Sequence, residues 1–470
     1  MSDRRGLRWT GAGTRVAIGT VVSVAFVVAV ATAVAAPWPQ VAREPVVLEA
    51  TPAAAESVVS CTGGILALGR DAASAGSLSV AAEQSVTSGT ADPAIVPSES
   101  ALVVPGVSGG SPLAFAAAPV DGVRTDIAAS GSASVDADDL RGLAATACQP
   151  PMMESWLVAG ATTTGYSDLV LLANPGSVPA TVQLTVYGAG DPVVPPGGSD
   201  LVVPPGTQIV VPLAGLIVGE SSPVVRVSAS GAPVRAALQS SLTDTLVPIG
   251  LDQVGAVAAP GQTAVIPGVD VTTAPSGGDP ATVVRVLAPT ADATATITVA
   301  SADAATASLP PSTVPLTAGH PAEVELPGLA LGSYTVTVTA ETPVVAAVRQ
   351  VAGSGEAADY GWYSVAPEVT LPSLFATTSG PDAVLTIANS GDVDATVIVS
   401  PRSGSGALST VTVPARGSSA VPLAGRTVYL LDAGGAPGVH AEVSMAGDGA
   451  LAAFPVWSAD AAARSISVYP

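Results

Sequence analysis

Two stretches decide how this chain is built. They are Ala173-Asn174-Pro175-Gly176-Ser177-Val178-Pro179-Ala180-Thr181-Val182 and Ala388-Asn389-Ser390-Gly391-Asp392-Val393-Asp394-Ala395-Thr396-Val397. Both follow A-N-x-G-x-V-x-A-T-V, and between them they hold the only two Asn residues in the chain. Alternating apolar runs precede them (Leu169 to Leu172; Val384 to Ile387) and follow them (Val182 to Val186; Val397 to Val399). The pattern reads strand, turn, strand. Asn bonds its own backbone in a turn and Gly supplies positive φ, so each Asn is expected to be structural, not a ligand.

Further blocks repeat downstream. Val203-Pro204-Pro205-Gly206 with Val211-Pro212-Leu213-Ala214-Gly215 matches Val413-Pro414-Ala415-Arg416-Gly417 with Val421-Pro422-Leu423-Ala424-Gly425. Ala232-Pro233-Val234-Arg235-Ala236-Ala237-Leu238 is read against Gly449-Ala450-Leu451-Ala452-Ala453-Phe454. A worn middle copy runs from Leu287-Ala288-Pro289 through Val314-Pro315-Leu316 to Thr342-Pro343-Val344-Val345-Ala346-Ala347-Val348. Three units follow, at 152–263, 264–356 and 357–470. Strand spacing and Gly/Pro turns predict tandem immunoglobulin-like antiparallel β-sandwiches, expected to form a rod. Thr335 to Thr339 alternates cleanly, one face buried and one wet.

Residues 56–151 are less regular. Candidate strands at Ser57 to Cys61, Ser77 to Val80, Ala114 to Ala118 and Thr125 to Ala133 suggest a degenerate β-unit, with a largely disordered segment as the alternative. Its two cysteines, Cys61 and Cys148, are the only ones in the chain. An even count in an exported chain favours a disulfide.

Export is expected from Val16 to Ala36, a run without a charge. As a helix it spans about 31 Å, the thickness of a bilayer core. Arg4, Arg5, Arg8 and Arg15 precede it in an arm of residues 1–15, so the N-terminus is expected in the cytoplasm and the bulk outside. Trp9 and Trp38 flank the span, and residues 37–55 read as a stalk. The run is longer than a usual signal-peptide core, which favours a retained anchor. Cleavage after Ala33-Val34-Ala35 is the rival.

Composition closes off several functions. The net charge is −21, and all 16 basic residues are Arg. Nothing here offers a basic surface to a phosphate backbone, so no nucleic-acid partner is expected. A phosphate loop needs a Lys the chain lacks. Aromatics make up 3%, so cores of Val, Leu and Ala are expected.

The order of motifs resembles one family. Cys148-Gln149-Pro150-Pro151 is followed by Trp156 and Val158-Ala159-Gly160. Then come Leu171-Leu172-Ala173-Asn174-Pro175-Gly176, Val203-Pro204-Pro205-Gly206 and Val234-Arg235-Ala236-Ala237. This is similar to an uncharacterised actinobacterial family of membrane-anchored exported proteins, a domain of unknown function, over most of residues 56–470. Ala159 stands where the family pattern has Gly. The resemblance implies an envelope protein and carries over no catalytic residue.

Chemistry has few candidates. His320 sits in a Gly-Pro turn and His440 at a strand start. Gly106-Val107-Ser108-Gly109-Gly110 fits G-x-S-x-G but lacks the strand-to-helix setting of a nucleophile elbow. Asp392 and Asp394 with Asn389, or Asp136, Asp138 and Asp139, could offer oxygens to calcium, but unit one has Ser177 and Pro179 in place of the first pair. Solvated turn acids are the plainer reading, so no metal and no cofactor is expected. Tyr360, Trp362 and Tyr363 are the densest aromatic cluster. They read either as a contact patch for sugar or protein, or as a core plug equivalent to Trp156. The leading expectation is a non-enzymatic envelope protein held by Val16–Ala36, scaffolding or binding an envelope glycan or another exported protein. The alternative is an exported glycan hydrolase using a carboxylate pair.

Overall fold

The computed structural model describes residues 7–35, 48–50, 54–70, 76–273, 281–302, 308–403, 406–447, 449–459 and 466–468. Arg4, Arg5, Trp38 and most of the expected stalk lie outside the described residues.

Helix α1 (Leu7–Ala35) contains a 19-residue stretch, Arg15–Ala33, with a mean hydropathy of 2.4. It is long and apolar enough to be a membrane span or a signal sequence. Its Thr20 and Thr32 hydroxyls donate to the carbonyls of Val16 and Val28 at 2.8 Å, so these two hydroxyls are satisfied within the helix. Beyond this helix the described chain is almost all β.

The residues before the first Asn form strands β1 (Leu48–Ala50), β2 (Ser57–Ser60), β3 (Ile65–Leu68), β4 (Leu78–Ala82) and β5 (Ser85–Thr90). They continue as β6 (Ser98–Ala101), β7 (Val107–Ser108), β8 (Leu113–Ala117), β9 (Ile127–Asp136) and β10 (Arg141–Ala147). Three small sheets result, β2-β8-β6, β3-β4-β7 and β10-β9-β5. Cys61 and Cys148 form a disulfide that closes this segment.

The first Asn-bearing module comprises β11 (Glu154–Leu157), β12 (Leu169–Asn174), β13 (Ala180–Tyr187), β14 (Leu201–Val203), β15 (Thr207–Pro212), β16 (Val224–Ser230), β17 (Arg235–Asp244) and β18 (Val247–Gly255). Its two sheets have the order β11-β16-β13-β14 and β15-β12-β17-β18.

Next come β19 (Gly261–Val271), β20 (Thr282–Leu287), β21 (Ala293–Ser301), β22 (Leu309–Leu316), β23 (Ala322–Glu325), β24 (Gly332–Ala352) and β25 (Asp359–Ser364). The last module is β26 (Ser373–Ala376), β27 (Ala383–Asn389), β28 (Ala395–Ser403), β29 (Ser409–Val413), β30 (Ser418–Leu423), β31 (Val428–Asp432), β32 (Val439–Gly447) and β33 (Ala450–Pro455). A final strand, β34 (Ile466–Val468), pairs antiparallel with β1.

Strand for strand, the last module repeats the first: β26-β31-β28-β29 and β30-β27-β32-β33. The middle module has the same plan with one economy. The N-terminal part of β24 pairs with β19 and β21, and its C-terminal part with β20 and β25. One long strand therefore serves both sheets. In the first module Gly231, at φ 82°, turns the chain between β16 and β17, and in the last module Gly434, Gly435 and Gly438 do so. The middle copy has Glu341-Thr342-Pro343 there, with no Gly to make that turn.

The registers correct one alignment. Ala173 pairs with Arg235, and Ala388 with His440. The counterpart of Val234-Arg235-Ala236-Ala237-Leu238 is therefore Val439-His440-Ala441-Glu442-Val443, not Gly449 to Phe454.

Both Asn side chains make the same three bonds. Asn174 Nδ2 donates to the carbonyls of Val178 (2.8 Å) and Val203 (2.9 Å), and Oδ1 accepts from Gly176 N at 3.0 Å. Asn389 repeats this with Val393 (2.8 Å), Val413 (3.2 Å) and Gly391 N (2.9 Å). Each Asn thus ties its turn to the neighbouring strand. Asn174→Ala and Asn389→Ala are each expected to cost about 2–4 kcal/mol, because buried backbone groups lose partners. Urea unfolding followed by Trp fluorescence measures it. Aspartate in either place should also destabilise, since it cannot donate.

Each module fills its interior with aliphatic side chains, as in the first core around Val170, Leu172, Val182, Leu184, Val227 and Leu238. The outward face of the second sheet is also covered, which corrects the expected rod: Ala53–Ala463 is one compact unit. Leu169, Leu171 and Ala237 of the first module pack on Leu66, and Gln239 bonds both backbone groups of Leu66 (2.8 and 2.7 Å) like a strand partner.

Candidate functional site

Burial of that face brings ionisable groups into the joints between modules. The central one is Asp359, at the start of β25 and fully buried. Its carboxylate accepts from Leu143 N (3.0 Å) on β10, Leu251 N (3.2 Å) on β18 and Leu451 N (3.1 Å) on β33. The Tyr360 amide is a further donor. One side chain thus gathers strands from the disulfide-closed segment and all three modules. Gly142 and Gly250 make room for it, since a Cβ on either would lie 2.7 or 2.6 Å from Asp359 Oδ1.

Neighbouring joints use other chemistry. Asp252 accepts from Gln253 N and Trp362 N, both at 2.7 Å. Within the first module, Asp168 accepts from Ala161 N (2.7 Å) and Ser241 N (3.1 Å). Arg285, 2% exposed, donates to the carbonyls of Gly160 (2.8 Å), Pro223 (2.9 Å) and Ser221 (3.2 Å) and to Glu323 (2.8 Å). Its guanidinium lies 4.7 Å from the Trp362 ring centroid. Arg285 thereby holds the second module to the first.

Burial pushes the Asp168 carboxyl up to about 7 and that of Asp359 up to about 8, against the amides that pull both down. Such groups bind protons in the folded chain that the unfolded chain releases near pH 4. Their contribution to stability is complete below that pH and is lost as pH rises through 7 to 8. The melting temperature of the full chain is therefore expected to be higher at pH 5.5 than at pH 8.5. A melting temperature that climbs over this interval contradicts it.

Tyr360, Trp362 and Tyr363 are not an exposed patch: they are 2%, 3% and 0% exposed. Tyr360 bonds Ser240 at 2.9 Å, and the Tyr363 hydroxyl accepts from Asp270 N at 3.2 Å. All three lie on β25, the last strand of the second module, whereas Trp156 lies on the first strand of its own. Their presence in the core follows from packing between modules.

The other candidates are also engaged. Asp392 pairs with Arg416, Asp136 with Arg141, and Asp139 with Arg70. Asp394 accepts from Ala415 N at 2.9 Å. His320 Nδ1 lies 2.9 Å from the Ala318 carbonyl, and His440 Nδ1 lies 2.8 Å from that of Ala366. Ser390 Oγ stands 3.4 Å from His440 Nε2, and burial lowers the pKa of that ring. Ser108 ends β7, and the chain runs on into β8 without a helix.

One open cleft, about 510 Å³, lies beside the disulfide where the N-terminal segment meets the last module. Phe375, Phe454 and Trp457 line it together with Glu56, Arg124 and Asp126.

Residues 103–424 match the model of a family described as a family of unknown function, DUF5719. No curated protein matches the chain. Among solved structures it is similar to one titled Biofilm associated protein - BSP domain, at 11% identity and a TM-score of 0.13, with 90% of this chain and 100% of that chain covered. A score this low carries no argument.

Proposed function

We propose that this chain, which belongs to the DUF5719 family of unknown function, is a non-enzymatic scaffold of an actinobacterial cell envelope. In this reading α1 is retained as a membrane anchor with the N-terminus in the cytoplasm. The β-modules stand outside and bind a neutral envelope glycan. The observation that carries the reading is where the reactive side chains are spent. Asp359, Asp252 and Arg285 hold modules together, Asp168 holds the first module's own loop, and Asp392, Asp394 and Asp136 hold turns. A general acid or nucleophile needs a free face toward substrate. The cleft beside the disulfide, with the half-buried Trp457 in its wall, supplies a concave surface that a sugar ring can pack against. The net charge of −21 disfavours anionic polymers.

The test uses the full chain. A C-terminal tag on intact cells should be removed by an impermeant protease. The detergent-solubilised protein should be retained on purified wall polysaccharide without releasing reducing sugar. A protected tag overturns the topology. Turnover abolished by one Asp or Glu change replaces the scaffold with a carboxylate-pair hydrolase, and retention on an exported protein instead of glycan changes the ligand.

A further inference from the structure

The joint between the second and last modules holds a set of buried oxygens that the fold does not require. Glu442 is fully buried on β32, and neither carboxylate oxygen has a hydrogen-bond partner. Its register partner on β27 is Thr386, also fully buried, whose hydroxyl is equally unpartnered. Two residues along, on the same face, the buried Ser444 hydroxyl lacks a well-formed bond. The Asp270 carboxylate lies beside the hydroxyls of Ser444 and Ser333, and Ser333 Oγ is buried and unpartnered too.

A β-bulge in β19, between Ile266 and Val269, delivers Asp270 to this place. Gly268, at φ 72°, sits in the bulge. A Cβ there would lie 3.0 Å from Thr386 Oγ1 and 3.9 Å from Ser444 Oγ, so only glycine lets β19 come so close.

The repeats show that the acid is extra. Registers place Glu442 opposite Thr386, Ala237 opposite Leu171, and Ala347 opposite Arg285. The sandwich is complete with Ala at that position in both other modules. The charge acting on Glu442 is that of another acid, Asp270. Among the described residues neither acid joins an ion pair. A fully buried acid left unpaired, with a half-buried second acid beside it, is costly.

We propose that Glu442, Asp270, Thr386, Ser444 and Ser333 bind one calcium ion in the joint between the second and last modules. The donors are all oxygen, which selects a hard cation. A bidentate carboxylate, a second carboxylate and three hydroxyls reach the six to eight ligands calcium takes. Magnesium demands a tighter octahedron and keeps its waters, so it fits a buried site of this kind poorly.

The test unfolds the full chain in guanidinium with a chelator, disulfide intact, and refolds it with calcium chloride, magnesium chloride or chelator. Desalted protein is assayed by atomic emission and by its guanidinium midpoint. One calcium per chain and a raised midpoint, with no effect of magnesium, are expected. Glu442→Ala, the residue of the other modules, should retain no calcium and show a midpoint indifferent to it. Should refolding fail, the same metal assay on wild type and variant purified from cells in calcium decides the matter. Wild-type protein without calcium, equal retention by Glu442→Ala, or equal retention of magnesium overturns the proposal.

Discussion

Asp359→Ala should unfold the chain, or leave it with a fraction of its stability. The substitution strips the amides of Leu143, Leu251, Leu451 and Tyr360 of their shared acceptor in a buried place. At about 1–3 kcal/mol for each unsatisfied buried group, the loss exceeds about 4 kcal/mol. A globular chain has about 5–15 kcal/mol in total. Asp359→Asn should be milder, because its neutral amide has the shape of the protonated carboxyl that burial favours and keeps one acceptor oxygen for the amides. The urea midpoint of the full chain reads the effect, and a midpoint within error of wild type rejects the role given to Asp359.

Loss of the disulfide is expected to be the second large effect. Cys61 and Cys148 stand 87 residues apart in sequence. Closing a loop of that length restricts the unfolded chain by about 4–5 kcal/mol on chain-entropy grounds. The crosslink joins the end of β2 to the end of β10, and β10 supplies the Leu143 amide to Asp359. Reduction should therefore loosen the joint as well as the segment. Dithiothreitol and the double variant Cys61→Ser/Cys148→Ser should lower the urea midpoint equally. Reductant should do nothing further to the variant. Equal midpoints with and without reductant contradict the expectation.

The turns were legible because their chemistry is local. Asn174 bonds residues within its own hairpin and the adjacent strand, so A-N-x-G-x-V identifies two modules before any coordinate is known. The third copy was harder, because the fusion of two strands into β24 erased the Gly turn that marks the other two. The Ala-Ala pairs misled the alignment of the closing block. Ala236-Ala237 resembles Ala452-Ala453 by composition, and only the register with Ala173 and Ala388 separates them.

The joints were not legible at all. Asp359 meets partners 216, 108 and 92 residues away, and no short pattern surrounds it. The aromatic cluster at Tyr360 to Tyr363 pointed to something at β25, but packing between modules had no sequence period to reveal it. One signal was available once the modules were aligned by register. A residue that breaks the repeat toward charge in a buried row, as Glu442 does against Ala237 and Ala347, stands out without any distance being measured.

Amide hydrogen exchange on the full chain tests the central claim most directly. If Asp359 locks four β-units into one cooperative body, the amides of Leu143, Leu251, Tyr360 and Leu451 should exchange together, at the rate set by global unfolding. Separate exchange of these four, each at the pace of its own module, would show independent beads on a string and contradict the account.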